Sequence, residues 1–174
     1  MSDRETPATH TDQEFLELVD GSRGVIMATA DEAGEPEASY APFVRDEDLR
    51  IYVYLSELAR HTANVLATGR ASLLWLAEEV DGGNPFARPR LVLRCSATRV
   101  GRDCAEWASG VARLQQRFGG TMALLQQLGD FHLFRLQPVA GTYVMGFGRA
   151  YHLSGERLAT VQLSRGADRF EKRS

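Results

Sequence analysis

The sequence predicts a mainly β protein in which an antiparallel sheet closes into a barrel with a few helices at its periphery. About six or seven short runs of strand-forming residues occur along the chain, and most are joined by short turns. Strands and helices do not alternate regularly, which disfavours a doubly wound parallel sheet. A barrel accounts for both observations, because closure removes the exposed edges of the sheet.

A short helix and a three-stranded meander are predicted for the first third of the chain. Thr11 and Glu14 have the spacing of a capping box before an apolar face, so a helix should begin at Thr11. This helix should end near Gly21. The strands expected next alternate apolar and polar residues, are separated by polar turns, and cover residues 24–29, 37–44 and 49–55.

Helices and strands are both predicted for the remainder. Ser56 should be the N-cap of a second helix that stops around residues 68–69. A nearly continuous apolar run over residues 71–77 predicts a strand that is buried on both faces. Asp103 is expected to cap a helix over residues 104–118. The other expected elements are strands over residues 90–100, 131–136 and 142–145 and a short helix over residues 121–128.

Length and composition indicate one globular domain. With 174 residues, the chain can bury a sizeable core without disulfides. We expect a flexible arm over residues 1–10, a barrel domain over residues 11–160 and a tail over residues 161–174. Hydrophobic residues make up 44% and charged residues 25% of the chain, which is ordinary for a folded protein.

Charge and hydropathy disfavour several classes of partner. A formal net charge of −3 gives no overall attraction for a phosphate backbone, so no nucleic-acid partner is expected. The N-terminus lacks the basic start and apolar run of a signal peptide, and no run of about 18 apolar residues occurs. Two cysteines are too few for a disulfide framework. These features predict a cytoplasmic protein with no membrane partner.

Five short segments contain most of the residues that could bind a ligand, although the sequence has no Gly-rich phosphate loop, paired-His zinc signature or nucleophile elbow. They are Ser39-Tyr40-Ala41-Pro42-Phe43, Tyr54-Leu55-Ser56 with Ala59-Arg60-His61, Ala87-Arg88-Pro89-Arg90-Leu91, Asp130 to Pro138, and Gly146 to Tyr151. Together and in this order, they resemble the HugZ/HutZ haem-utilisation proteins, relatives of the pyridoxamine 5'-phosphate oxidase-like FMN-binding split barrels. The resemblance covers roughly residues 12–160. It implies a split barrel that forms a homodimer and holds haem or FMN at the subunit interface.

The residues near the second helix suit an anionic ligand. Arg60 lies early in that helix, where free backbone donors and the helix dipole favour a phosphate or carboxylate. Its guanidinium would add a charge-assisted contact. By resemblance to the flavin-binding members, residues 39–42 would line the flavin ring, and Arg60 with His61 would hold the phosphate. The candidate cofactor-binding residues are therefore Ser39, Tyr40, Ala41, Pro42, Tyr54, Ser56, Arg60, His61, Arg88 and Arg90.

The C-terminal segment departs from the haem-degrading relatives. Their pattern has an iron-ligating His just after a Gly, whereas Gly166 is followed here by Ala167, which has no lone pair for iron. Asp130 matches the acidic residue that supports this His in the relatives, so it is the candidate catalytic residue. His132 is the nearest alternative ligand for haem iron.

Three functions follow from the sequence. The first is a haem-utilisation protein that binds, or also degrades, haem at a homodimer interface. The second is an FMN-binding flavin oxidoreductase, which needs no axial ligand. The third is a non-catalytic ligand-binding dimer module, since a barrel can persist without its chemistry. The sequence leaves open whether the protein is an enzyme.

Overall fold

The computed structural model describes residues 8–146, 148–158 and 160–163. The α-helices of this part are Ala8–Gly21 (α1), Arg60–Thr68 (α2), Ala105–Phe118 (α3) and Gly120–Leu125 (α4). The strands are Gly24–Ala30 (β1), Pro36–Arg45 (β2), Ile51–Ser56 (β3), Arg70–Leu76 (β4), Arg90–Arg99 (β5), Phe131–Gly146 (β6), Arg149–Ser154 (β7) and Thr160–Leu163 (β8). Short 3-10 helices occur at Pro85–Ala87 and Glu156–Leu158. None of the helices in the described ranges is long and apolar enough to cross a membrane.

Six strands form a closed antiparallel barrel, which confirms the predicted mainly β fold. Their order is β3-β2-β1-β4-β5-β6, and pairing of β3 with β6 closes the barrel. The closing ladder extends from Ile51 opposite Leu136 to Ser56 opposite Phe131. The second half of β6 pairs instead with β7, and β7 pairs with β8, so these two strands extend the sheet beyond the barrel.

Apolar side chains fill the barrel and also cover part of its outer wall. Inside, Phe43 and Trp75 are almost fully buried and meet edge to face with ring centroids 5.4 Å apart. Outside, α3 and α4 pack on β3 and β6 through a second cluster that includes Leu114, Met122 and Leu133. This outer layer explains why β3 is buried on both faces.

The strand β6 corrects the prediction of two separate late strands over residues 131–136 and 142–145. The chain continues through Pro138 as one strand of 16 residues. Its neighbour β5 shifts register between Arg94 and Cys95, where β6 passes Pro138. A bulge of this kind accommodates a residue that has no N–H to donate to the ladder.

Three predicted helix starts are wrong. The helix α1 begins at Ala8, so Thr11 lies inside it rather than at its start. The N-cap of α2 is Ala59, whereas Ser56 is the last residue of β3, and its Oγ accepts a hydrogen bond from the Leu58 N–H at 3.1 Å ahead of the helix. The N-cap of α3 is Cys104 rather than Asp103, and its side chain makes no capping hydrogen bond. The helices α2 and α3 begin later than predicted, because tertiary packing and not a capping side chain fixes their first turns.

The prediction that β4 is buried on both faces is also wrong. Burial alternates along the strand, with Leu73 and Trp75 pointing into the barrel. Leu74 and Leu76 point outward, and Leu76 is 36% exposed. The apolar run therefore belongs to a strand with one face in the core and an outer face that is apolar only at Leu74 and Leu76.

Candidate functional site

A polar network occupies the end of the barrel where β3 stops and β6 begins. The Ser56 hydroxyl donates to Asp130 Oδ2 at 2.6 Å. The Glu57 N–H donates to the Asp130 carbonyl oxygen at 2.8 Å, which extends the β3–β6 pairing by one step. Two residues from the candidate set, 74 positions apart in sequence, are thus in direct contact.

His132 is buried beside this pair and is held on both sides. Its Nδ1 lies 2.8 Å from Arg99 Nη2, and its Nε2 contacts Glu57 Oε1. A guanidinium can only donate, so Nδ1 is the acceptor and the ring proton is assigned to Nε2, which donates to Glu57. In this arrangement neither ring nitrogen offers a free lone pair to iron. The assignment of His132 to haem iron stays a prediction.

Sequence reasoning missed Glu57 and Arg99. They lie 75 and 33 positions from His132, and neither belongs to one of the motifs that suggested a ligand. Glu57 directly follows the strand that ends at Ser56, and Arg99 is the last residue of β5. Only the closure of the barrel brings the ends of β3, β5 and β6 together.

Arg60 and His61 lie at the start of α2, as predicted, but acidic residues surround Arg60. Its guanidinium is 3.8 Å from Asp31 Oδ2 and 4.0 Å from Glu37 Oε2, and its side chain is 58% exposed. An anion at this helix end would compete with both carboxylates. Burial lowers the pKa of His61, while Glu37 raises it by a smaller amount. His61 is therefore a neutral imidazole at neutral pH, and Arg60 carries the positive charge.

The four candidates on β2 point in alternate directions. Ala41 is buried in the barrel core, and the Ser39 hydroxyl donates to a carbonyl oxygen of β1 at 3.1 Å. Tyr40 and Pro42 point outward, and Tyr40 is 63% exposed. The Tyr40 ring covers Gly24 so closely that a Cβ there would lie 2.0 Å from the tyrosine hydroxyl oxygen. Of this motif, only Tyr40 and Pro42 present side chains to a ligand on the outer wall.

Tyr54 belongs to the packing between the barrel and its helices. Its ring stacks on Phe131 with centroids 5.6 Å apart, within the cluster that α3 and α4 cover. Its hydroxyl is buried and has no hydrogen-bond partner among the described residues. In this position Tyr54 packs between the barrel and its helices, whereas the sequence had suggested contact with a cofactor.

Arg88 and Arg90 lie at the opposite end of β5 from the polar network. Arg88 Nε donates to the Ala77 carbonyl oxygen at 2.7 Å, and Arg90 Nη1 donates to the Arg88 carbonyl oxygen at 3.1 Å. At about 3.3 Å per residue, the nine steps from Arg90 to Arg99 span about 30 Å. Within one chain, the structure does not bring these arginines to Ser56, Arg60 or Asp130.

Metal ligands are not clustered in the part of the chain that the structure describes: no group of three or more His, Cys, Asp or Glu side chains could hold an ion. The predicted absence of a tail ligand at Ala167 falls outside the described residues.

Comparison with known proteins identifies similar sequences and structures. Residues 11–145 match the family model described as Pyridoxamine 5'-phosphate oxidase. The chain is 39% identical over 145 residues to the Heme oxygenase HutZ of Vibrio cholerae, a match that covers 83% of this chain and 82% of that protein. A crystal structure of HutZ, called a haem storage protein, matches at TM-score 0.67 and 36% identity over 74% of this chain and 89% of that one. Campylobacter jejuni ChuZ matches at TM-score 0.78 and 26% identity over 92% of this chain and 64% of that one.

Proposed function

We infer that this chain, which belongs to the pyridoxamine 5'-phosphate oxidase family, is a haem-utilisation protein that binds haem at a homodimer interface. The observation that carries this proposal is the extended similarity to a haem oxygenase, which includes most of both chains. We also propose that the protein acts in the cytoplasm, where its free cysteines Cys95 and Cys104 would remain reduced.

The positions of the candidate residues support a homodimer. Arg60 and Arg90 lie at opposite ends of the barrel, so one chain alone does not form a single pocket from them. In a dimer with its two-fold axis on the outer wall, the Arg60 end of one copy would lie next to the Arg90 end of its partner. That wall exposes Tyr40, Ile26 at 39% and Leu76 at 36%, and a second copy would cover these side chains.

The residues on this wall fit a flat ligand with carboxylates at its edge. Tyr40 offers an aromatic face to a macrocycle. Arg60, Arg88 and Arg90 offer guanidinium groups, which bind carboxylates in a bidentate manner. The ring contacts of His132 argue against an iron bond from that residue. We therefore propose binding through the wall and the arginines, while redox chemistry would belong to the bound haem.

Asp130 is the proposed proton-handling group. Its Oδ2 accepts the Ser56 hydroxyl hydrogen, and Ser56 can pass a proton along this bond because a hydroxyl both donates and accepts. Any degradation of haem would depend on this pair. Substitution of Asp130 by Asn should therefore lower turnover more than haem affinity.

FMN binding is the second candidate, with flavin oxidoreductase activity. The observation that favours it is the start of α2, where no side chain caps the helix and Arg60 is adjacent to the free backbone donors. In this alternative, Arg60 and His61 hold the phosphate, and Tyr40 and Pro42, the outward-pointing candidates on β2, contact the rest of the flavin.

Absorption spectroscopy of the purified protein tests these proposals. A Soret band after haem addition, saturating at one haem per chain, supports the haem proposal, and Arg90→Ala should weaken that binding. Arg113→Ala is the matched control, because Arg113 lies on α3, outside all five segments, and pairs with the exposed Glu47. A flavin spectrum after FMN addition, weakened by Arg60→Ala, supports the second candidate. No spectral change with either ligand contradicts both and leaves a non-catalytic module. Light scattering during gel filtration measures the molar mass and so shows whether the protein is a dimer.

A further inference from the structure

A groove lies on the outer wall, where β1, β4, β5 and β6 meet the C-terminal end of α2. Its volume is about 830 Å³, within the range of about 300–1,000 Å³ that small-molecule sites occupy. Small residues leave this space open, among them Ala28, Gly69 and Ala140. None of the candidate residues from the sequence lines the groove.

Two unpaired arginines project from adjacent strands into this groove. In the β4–β5 ladder, Arg70 is opposite Ser96 and Ser72 is opposite Arg94. The arginines are therefore diagonal neighbours on one face, with Cβ atoms about 7–8 Å apart or slightly less. Both are exposed, and neither has an ion pair or hydrogen bond within the described ranges.

Other arginines of the described residues do have a carboxylate partner. Arg113 and Arg135 each contact a carboxylate at 3.1 Å or less. Two guanidinium groups on one face without a counter-charge repel each other, and a single oxyanion between them would remove that repulsion. The geometry of the ladder allows both side chains to reach the same anion.

The remaining polar groups leave the groove positively charged. The hydroxyls of Ser72 and Ser96 lie between the arginines and can donate to an oxyanion. Asp31 is the single carboxylate that lines this groove. It accepts a hydrogen bond from the Glu35 N–H at 2.9 Å and lies 3.8 Å from Arg60, so its charge is directed away from the arginine pair.

We propose that this groove binds a small amphipathic oxyanion, with one carboxylate or phosphate group held by Arg70 and Arg94. The apolar body of the ligand lies over Ala28, Val139 and Ala140, and Val139 is 56% exposed. The groove is adjacent to the wall proposed for haem, but its two arginines differ from Arg60, Arg88 and Arg90, which the haem proposal uses.

Calorimetric titration of the full chain tests the groove with defined probes. Decanoate supplies a carboxylate with an apolar chain, and phenyl phosphate supplies a phosphate with an apolar ring. We expect saturable binding of at least one probe and at least tenfold weaker binding to the Arg70→Ala/Arg94→Ala double variant. Both arginines are exposed, so the variant should fold normally. Arg113→Ala, on α3 and outside the groove, should bind as the wild type does. Decanol, which has no charge, should bind at least tenfold more weakly than decanoate.

Three results would overturn the proposal: no saturable binding of either probe, equal binding to the double variant, or equal binding of decanol. The proposal would also fail if a second copy of the chain occupies the groove. If the acidic loop with Glu78, Glu79 and Asp81 from a second copy fills the groove, neither probe binds and the double variant shifts the protein towards monomers. Haem titration of the same variant separates the proposals, because the haem site does not use these arginines.

Discussion

Replacement of His132 by Phe should destabilise the protein without changing the spectrum of bound haem. The substitution keeps the volume of the buried ring but removes its hydrogen bonds to Glu57 and Arg99. Each such bond contributes a net stabilisation of about 0.5–1.5 kcal/mol, so the free energy of unfolding should fall by about 1–3 kcal/mol. Glu57 is 52% exposed and can be rehydrated, which keeps the loss within this range.

Urea unfolding followed by tryptophan fluorescence measures the loss, with wild type and variant at one protein concentration because a dimer would link stability to concentration. His152→Phe is the control, since His152 is exposed on β7. It should change the unfolding free energy by less than about 0.5 kcal/mol. A loss below that value in His132→Phe would refute the hydrogen-bond assignment. An altered Soret band in the same variant would show that the imidazole ligates iron.

Three further measurements test the packing and the titration of particular residues. Gly141→Ala should lower the free energy of unfolding by about 1–3 kcal/mol, because the new Cβ would lie 2.9 Å from a backbone oxygen. Gly146→Ala is the control: its Cβ would have no neighbour closer than 3.9 Å, so the unfolding free energy in the same urea assay should hardly change. A thiol reagent should label Cys104 in the native protein and Cys95 only after unfolding, because burial raises the pKa of Cys95 to about 12; equal labelling rates would contradict this. NMR titration of the folded protein should give His61 a pKa below its ordinary value of 6.5. The unfolded chain then binds the proton more readily than the folded one, so the free energy of unfolding should fall as pH decreases from 6.5 through the pKa of the folded protein.

The barrel was predictable because its strands carry local signals. Alternating apolar residues and polar turns gave β1 to β3 within one or two residues, and the confirmed fold class followed from their number and short connections. The continuity of β6 was not predictable, because Pro138 usually interrupts a strand. Only the register shift in β5 shows how the ladder passes that residue.

The apolar run of β4 is a case in which the local sequence pattern did not predict burial correctly. Periodicity cannot distinguish a strand buried in a sheet from one whose outer face is apolar for another reason. The structure separates the two cases through Trp75, which is in the core, and Leu76, which is not. The prediction of double burial failed because the outer side chains have nothing to pack against in a single chain.

Candidate site residues were harder to place than strands, because residues that act together come from distant parts of the chain. The contact between Ser56 and Asp130 depends on the closure of β3 onto β6. Glu57 and Arg99, which hold His132, belong to no motif. A motif indicates which residue types are available, whereas the strand register decides which of them meet.

Arg60 lies at the opposite end of the barrel from Arg88 and Arg90, so strand register keeps these three arginines apart within one chain. The barrel is closed, and β5 spans about 30 Å between its two ends, so side-chain movement within one chain cannot bring Arg60 to Arg88 and Arg90. If all three arginines bind one ligand, the missing proximity must come from a second copy, and dilution below the dimer dissociation constant must weaken haem binding. If haem binds equally well to monomers, the ligand contacts only one end of the wall, and either Arg60 or the pair on β5 has another role.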